Sequence, residues 1–382
     1  MCAGDDLDVS ANGREAEGKR EGETMNSLER VLAALGRKGK PDRLPFEISW
    51  GAFTPSLMEV YRRETGADVD PDEYFDFDTR SVDLNPTRRP ADFARFFAEP
   101  LPSNVSFDEW GCGSVPGSIE HFVEYKFHPL QSASIPDDVR SFAWPDVTAE
   151  YRYDGLTERV AEYHRRGYAV TGELYQTIFE RAWLMRGMEQ LLIDFLASPE
   201  IGHAICQCIA DLRIEQARRL TALGVDVLRL GDDVCTQKGL LMSLAAYRTF
   251  LKEPTRAIIR AAKEINPDLL VFMHCDGRVG DMIEEYVDIG VDILNPVQPE
   301  CNDFAEIARR SAGRLAFWGG IGTQSTMPFG SPADVAAAVA RAKQTLGPDG
   351  GLLVAPTHIL EPEVPWENVL AFVEAAKHSW YH

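Results

Sequence analysis

The strongest chemical signal in the chain sits where one apolar run ends. "VFMHCDGRVG", residues 271–280, sets His274 and Asp276 on either side of Cys275. Alternate residues of an extended segment point the same way, so the imidazole and the carboxylate converge while the thiol turns aside. Such a pair is half of a divalent-metal site; the competing assignment is a strand-end histidine bonded to a neighbouring strand, and His-x-Asp alone favours that one. His358, just after Ala355-Pro356 in "VAPTHILEPEVPWENVLAF", changes the balance. Together His274, Asp276 and His358 can hold a zinc-like ion with a position open for substrate, and Cys301 or Gln298 can add a fourth ligand.

Carboxylates surround this set in the sequence. Asp232 and Asp233 close the run "VLRLGDD", with Gln237 in the following loop. Two adjacent acids facing a cleft repel, so one is expected to hold a proton, a cation or a substrate hydroxyl. The equal alternative has one of them capping a helix and the other in solvent. Glu173 ends "YAVTGEL", and Asp76 and Asp78 are read as ending "YFDFDTRSV". Such groups can orient substrate, or pair with Arg80 or Arg181. Glu47 lies inside an apolar run, where an unpaired charge is costly, so it is expected to face the mouth of the fold unless that run is misplaced. His121, His128, His164, His203, His378 and His382 are read as surface or satisfied histidines. The aromatics Phe107, Trp110, Phe122, Tyr125 and Phe127 can roof an apolar substrate or simply pack together.

These groups need elements that bring them to one place. Eight short apolar runs alternate with helical patterns, the rhythm of a parallel sheet covered by crossover helices. The expected strands are 43–50, 74–82, 168–174, 225–231, 269–274, 291–297, 315–320 and 351–356. Several end in polar residues, which matches a (β/α)8 TIM barrel, whose chemistry sits at the C-terminal strand ends. A doubly wound sheet is the alternative, weakened by the lack of a glycine-rich phosphate turn after the first strand. A helix is expected from Asn26, with Gly36 as its stop. Residues 105–146 break the rhythm and are read as a β-rich insertion with a hairpin folded over the barrel mouth. Residues 1–24 read as a disordered tail ahead of a barrel over 25–382, and Met25 is an alternative start.

Composition narrows the classes. The 382 residues carry 60 acidic and 39 basic side chains, a formal net charge of -21, which repels nucleic acid and anionic lipid. No apolar run is long enough to span a bilayer, and the charged N-terminus is unlike a signal peptide, so a cytoplasmic protein is expected. The 7 cysteines are scattered without a CxxC pair, so they are expected to be reduced thiols.

With these residues in view, the chain resembles the uroporphyrinogen decarboxylase superfamily from about Asn26 to the C-terminus. The segments that carry the likeness are "NSLERVLAALGRKGKPDRLP", "DEWGC", "FERAWLMRGMEQLL", "GDDVCTQKGLLMS", "HCDG", "DILNPVQPE", "FWGGIGTQ" and "APTHILEPEVPWENVLAF". The resemblance implies a (β/α)8 barrel and two kinds of activity: decarboxylation of uroporphyrinogen, or zinc-dependent methyl transfer among a small substrate, a corrinoid protein and a thiol. The decarboxylases carry arginines on the first strand that grip the substrate carboxylates; here "RLPFEISWGAFTPSL" has none between Leu44 and Leu57. Asp78 and His358 are the two positions that still resemble that branch.

The methyltransferase branch is similar at His274, the histidine of its His-x-Cys zinc motif. Asp276 and His358 stand where that branch has cysteines. Oxygen and nitrogen donors in place of thiolates favour polarising an ether or alcohol oxygen over activating a thiol. The expected function is therefore a zinc-dependent methyltransferase that moves a methyl group from a small methoxylated or methylated compound to a corrinoid protein. Its acid residues would be Asp232, Asp233, Glu173 and Asp78, its substrate contacts Gln237, Asn295, Gln298, Trp110 and Phe179, and a homodimer is compatible with it. The alternatives are a metal-free decarboxylase-like enzyme using Asp78 and His358, and a non-catalytic barrel that binds a tetrapyrrole or corrinoid.

Overall fold

Strand-length apolar runs separated by crossover helices suit a parallel sheet buried on both faces. The computed structural model has that arrangement; it describes residues 24–48, 53–90, 92–97, 100–119 and 122–381. The expected tail, His121 and His382 lie outside the described residues. Seven parallel strands follow one another around the sheet: Thr79–Val82, Ala169–Leu174, Val227–Gly231, Leu270–His274, Ile293–Asn295, Ala316–Ile321 and Leu352–Pro356.

The ring is closed by residues 44–48. Val354 N donates to Pro45 O (2.9 Å), Glu47 N to Val354 O (3.3 Å) and Asp78 N to Phe46 O (3.1 Å), which ties the last strand to the first. This segment belongs to the expected strand 43–50, of which the described residues form only isolated bridges, Phe46 with Val354 in parallel and Arg43 with Trp380 antiparallel. Pro45 contributes to this, because it has no N–H for the ladder. The expected strand 74–82 is also shorter. Pro71 starts a helical turn over Pro71–Tyr74, so the strand begins only at Thr79.

The helix Ser27–Leu35 plugs the N-terminal end of the barrel. Asn26 and Glu29 form a reciprocal cap, with Glu29 N donating to Asn26 Oδ1 (2.8 Å) and Asn26 N to Glu29 Oε2 (3.0 Å). Val31, Ala34 and Leu35 pack against the inward residues Ala169, Val227, Leu270, Ile293, Ala316 and Leu353. The Val, Leu and Ile side chains among them each contribute about 1.5–3 kcal/mol by their burial. With that end filled, the open end is the one where the strands finish.

The insertion is a three-stranded antiparallel sheet of Ser106–Phe107, Gly113–Pro116 and Val123–Phe127, with Gly113–Pro116 in the middle. It docks on the helix Phe179–Arg186, which leaves the mouth end of Ala169–Leu174. Arg181 pairs with Asp108 (2.5 Å), and Leu130 N donates to Met185 O (2.9 Å). Among the described residues no helix is long and apolar enough to cross a membrane.

Candidate metal centre

His274 is the last residue of its strand, and its side chain is 9% exposed. One neighbour fixes its chemistry. Asn295, at the end of the adjacent strand, donates Nδ2–H to Trp318 O (2.7 Å), so its Oδ1 must face the imidazole, 2.6 Å from Nδ1. Nδ1 therefore carries a proton, and Nε2 is the ring atom turned toward the acidic loops. Nε2 lies 3.6 Å from Asp233 Oδ1 and 3.9 Å from Asp276 Oδ1.

One ligand atom each from Asp233, His274 and Asp276 lies within 4.8 Å of the others. Asp276 N donates to Asp233 Oδ1 (2.6 Å), which locks the two loops together. Asp276 Oδ1 is buried without a hydrogen-bond partner among the described residues. Burial raises the pKa of Asp276, the His274 charge opposes that rise, and the Asp233 charge adds to it. An unsatisfied carboxylate oxygen beside an imidazole nitrogen and a second carboxylate fits a divalent cation, which supplies the charge the three groups lack.

The centre departs from the expected ligand set in one member: Asp233 stands in place of His358. Thr357 N donates to Ile321 O (2.8 Å), and Thr357 Oγ1 lies 3.1 Å from Thr323 Oγ1, so the loop turns there. His358 is half-buried and acts on Asp276 by its charge rather than joining the three-atom cluster. Asp232 and Asp233 divide their roles. Asp232 accepts from Ile178 N (2.9 Å) and Glu180 N (3.0 Å) and so caps the helix Phe179–Arg186, while its burial pushes its pKa up to about 6. Glu180, which no motif in the sequence singles out, lies against both aspartates; burial and then their charges raise it well above the carboxylate range.

The uroporphyrinogen decarboxylase (URO-D) family profile matches residues 178–379, just over half of the chain, including Asp233, His274 and Asp276. The chain belongs to the URO-D family. Its barrel is similar to that of a methyltransferase from Methanosarcina mazei at 18% identity and a TM-score of 0.64, covering 92% of this chain and 98% of the other. Xylanase 10B from Thermotoga maritima aligns at 14% identity and a TM-score of 0.40, over 60% of this chain and 81% of the other. No curated protein matches the sequence. At 18% identity the likeness to the methyltransferase speaks for the barrel fold alone.

The other candidates in this URO-D-family barrel fall into three places. Gln298 Oε1 accepts from Gly277 N (2.7 Å), so it holds the turn after Asp276; Cys301 lies beside it, its thiol raised to about 11 chiefly by burial. Gln237 bonds Gln324 (2.9 Å) on the exposed rim. Cys275 is buried and turned away, as the alternation requires. Trp110 and Phe179 are not substrate-facing as expected: Trp110 is 3% exposed, with Arg181 and Arg213 over its ring, and Phe179 is fully buried in the core.

Asp78 is at the wrong end for chemistry with this centre. It precedes Thr79–Val82 rather than ending it, and its buried carboxylate accepts from Ser27 Oγ (2.8 Å), Arg30 Nη1 (2.6 Å), Arg43 Nη1 (2.8 Å) and Phe46 N (2.9 Å). These bonds pin the plugging helix to the barrel floor. Inside the barrel the sequence reading missed Arg229. Its guanidinium pairs with Glu47 (2.8 Å) and lies over Trp318, at the wall of a 330 Å³ cavity that Thr79, Ser81 and Thr171 also line. A lone arginine inside the apolar strand "VLRLG" was the available signal. Glu47 is thus paired inside the barrel rather than open at its mouth.

Proposed function

We propose that this URO-D-family protein is a metal-dependent methyltransferase that moves a methyl group from a small methoxylated or methylated compound to a corrinoid protein. The observation that carries the reading is the convergence of His274 Nε2, Asp233 Oδ1 and the unsatisfied Asp276 Oδ1 at the barrel mouth. Zinc is the ion proposed, with Asp233, His274 and Asp276 as its holders. When bound there it supplies Lewis acidity toward an ether or alcohol oxygen of the substrate.

The chain's own residues prepare that site. Asn295 keeps His274 Nε2 toward the acidic loops, Asp233 ties down the backbone of Asp276, and Gln298 holds the turn that follows. Nitrogen and oxygen donors without thiolate support the methyl-donor side over activation of a thiol. The decarboxylase-like reading is disfavoured because Asp78 is fully engaged by Arg30 and Arg43 at the opposite end of the barrel.

The test offers the zinc-loaded and chelator-treated protein a methoxylated donor and a free cobalt(I) corrinoid, and follows the corrinoid absorbance. Methylation that depends on zinc is the expected result. Carbon dioxide release from a carboxylated tetrapyrrole, without methylation, would replace this reading with the decarboxylase one.

A further inference from the structure

A second polar cluster lies deeper in the barrel than the metal centre, and charge counting gives it a function. Arg229 points inward, over Trp318 (4.4 Å) and Phe272 (5.4 Å). Two carboxyl groups face this single guanidinium: Glu47 at 2.8 Å and Glu173 at 3.6 Å. Asp83 also feels its charge, and Tyr175 stands 3.2 Å from Arg229 Nη1. Their environments differ. Glu47 receives Trp318 Nε1–H on one oxygen (3.0 Å) and both Arg229 and Thr79 on the other. Glu173 has Thr171 Oγ1 at 2.6 Å from Oε1 and a hydrogen bond with Tyr175, both favouring its charged form, while its Oε2 is buried without a hydrogen-bond partner among the described residues.

One guanidinium neutralises one carboxylate, and a second carboxylate with a bare oxygen is costly in a dry barrel. The cluster is therefore balanced when Glu47 is ionised and Glu173 holds a proton. Burial acts in the same direction, raising Glu173 to about 7 against the pull of Arg229. Glu173 lies beside Arg229 in the strand register, and two residues further along that inward face is Gly231, opposite His274. Glycine there adds no side chain of its own between the Glu173 and His274 layers; a Cβ would sit 3.0 Å from that of His274.

We propose that Glu173 is the proton donor of this site, giving its proton to the substrate oxygen that loses the methyl group. The inference rests on the methyl-transfer reading. The oxygen–methyl bond breaks and its electron pair stays on oxygen, which takes the Glu173 proton and becomes a hydroxyl. The methyl carbon bonds to the electron pair of the cobalt(I) acceptor, and Glu173 regains a proton from water. A proton donor that is neutral near pH 7 contributes most when the leaving oxygen is strongly basic.

The test compares wild type with Glu173→Gln on an alkyl methyl ether, whose leaving oxygen needs a proton, and on a nitrophenyl methyl ether, whose phenolate leaves without one. The variant is expected to lose about 100-fold or more on the alkyl ether and little on the nitrophenyl ether. Equal losses on both overturn the donor role. Infrared difference spectroscopy reads the group itself: at about pH 6 the wild-type spectrum minus that of Glu173→Gln is expected to contain a protonated-carboxyl band, the bands of the other raised acids, Glu180 and Asp232, cancelling in the difference. A difference spectrum without that band overturns the assignment whatever the rates. A wild type that shows the band and binds zinc but methylates from neither ether instead overturns the methyl-transfer reading, and the donor role with it.

Discussion

Replacing Asn295 by alanine should weaken metal binding without touching a ligand. The side chain is 4% exposed and makes two short bonds, to His274 Nδ1 (2.6 Å) and Trp318 O (2.7 Å). Removing it strands a buried N–H and a buried carbonyl, for a stability loss of about 2–4 kcal/mol from the two together. The imidazole also loses the acceptor that selects its tautomer and holds its plane. Groups that orient a metal-binding histidine in this way are typically worth 10–100-fold in affinity, roughly 1.4–2.7 kcal/mol. Competition titration of zinc against a chromophoric chelator measures the affinity, and urea unfolding of the metal-free protein measures the stability separately. Asn295→Asp keeps an acceptor behind Nδ1 and should retain most of the affinity while losing stability, because its carboxylate faces the Trp318 carbonyl. Wild-type affinity in a folded Asn295→Ala would refute the reasoning that Asn295 sets the ligand.

Two further outcomes follow from the buried acids. Asp78→Ala leaves Arg30 and Arg43 buried without their shared partner and should cost about 3–5 kcal/mol in denaturant unfolding; zinc stoichiometry of the folded variant should be unchanged, since Asp78 is at the other end. Glu173, raised to about 7 by burial, favours the folded state in its neutral form. Its contribution is complete below the unfolded carboxyl pKa of about 4.3 and is lost as the pH rises through about 7, on the order of 3 kcal/mol in total. Wild type should therefore lose more stability between about pH 5 and about pH 8.5 than Glu173→Gln, and equal slopes would contradict the assignment.

The barrel was legible because inward and outward residues alternate in the buried strands, and because polar residues gather at one end of them. Where that pattern failed, the reason was local. "YFDFDTRSV" runs through a helical turn into the strand, so Asp78 was read as ending a strand that it precedes. Asp232 and Asp233 have the same side chain, and only the position of the Phe179–Arg186 helix decides which one caps it and which one turns to His274. Trp110 and Phe179 are as suited by type to a substrate wall as to a core, and packing chose the core. Arg229 was readable as an anomaly, since a cation within "VLRLG" must find a partner, yet that partner, Glu47, is 182 residues away in the chain.

We propose one metal site built from Asp233, His274 and Asp276, with His358 outside it. Elemental analysis of dialysed wild type, Asp233→Ala and His358→Ala tests it most directly. About one zinc per chain is predicted in wild type and in His358→Ala, with loss from Asp233→Ala. Zinc retained by Asp233→Ala and lost from His358→Ala would contradict the account.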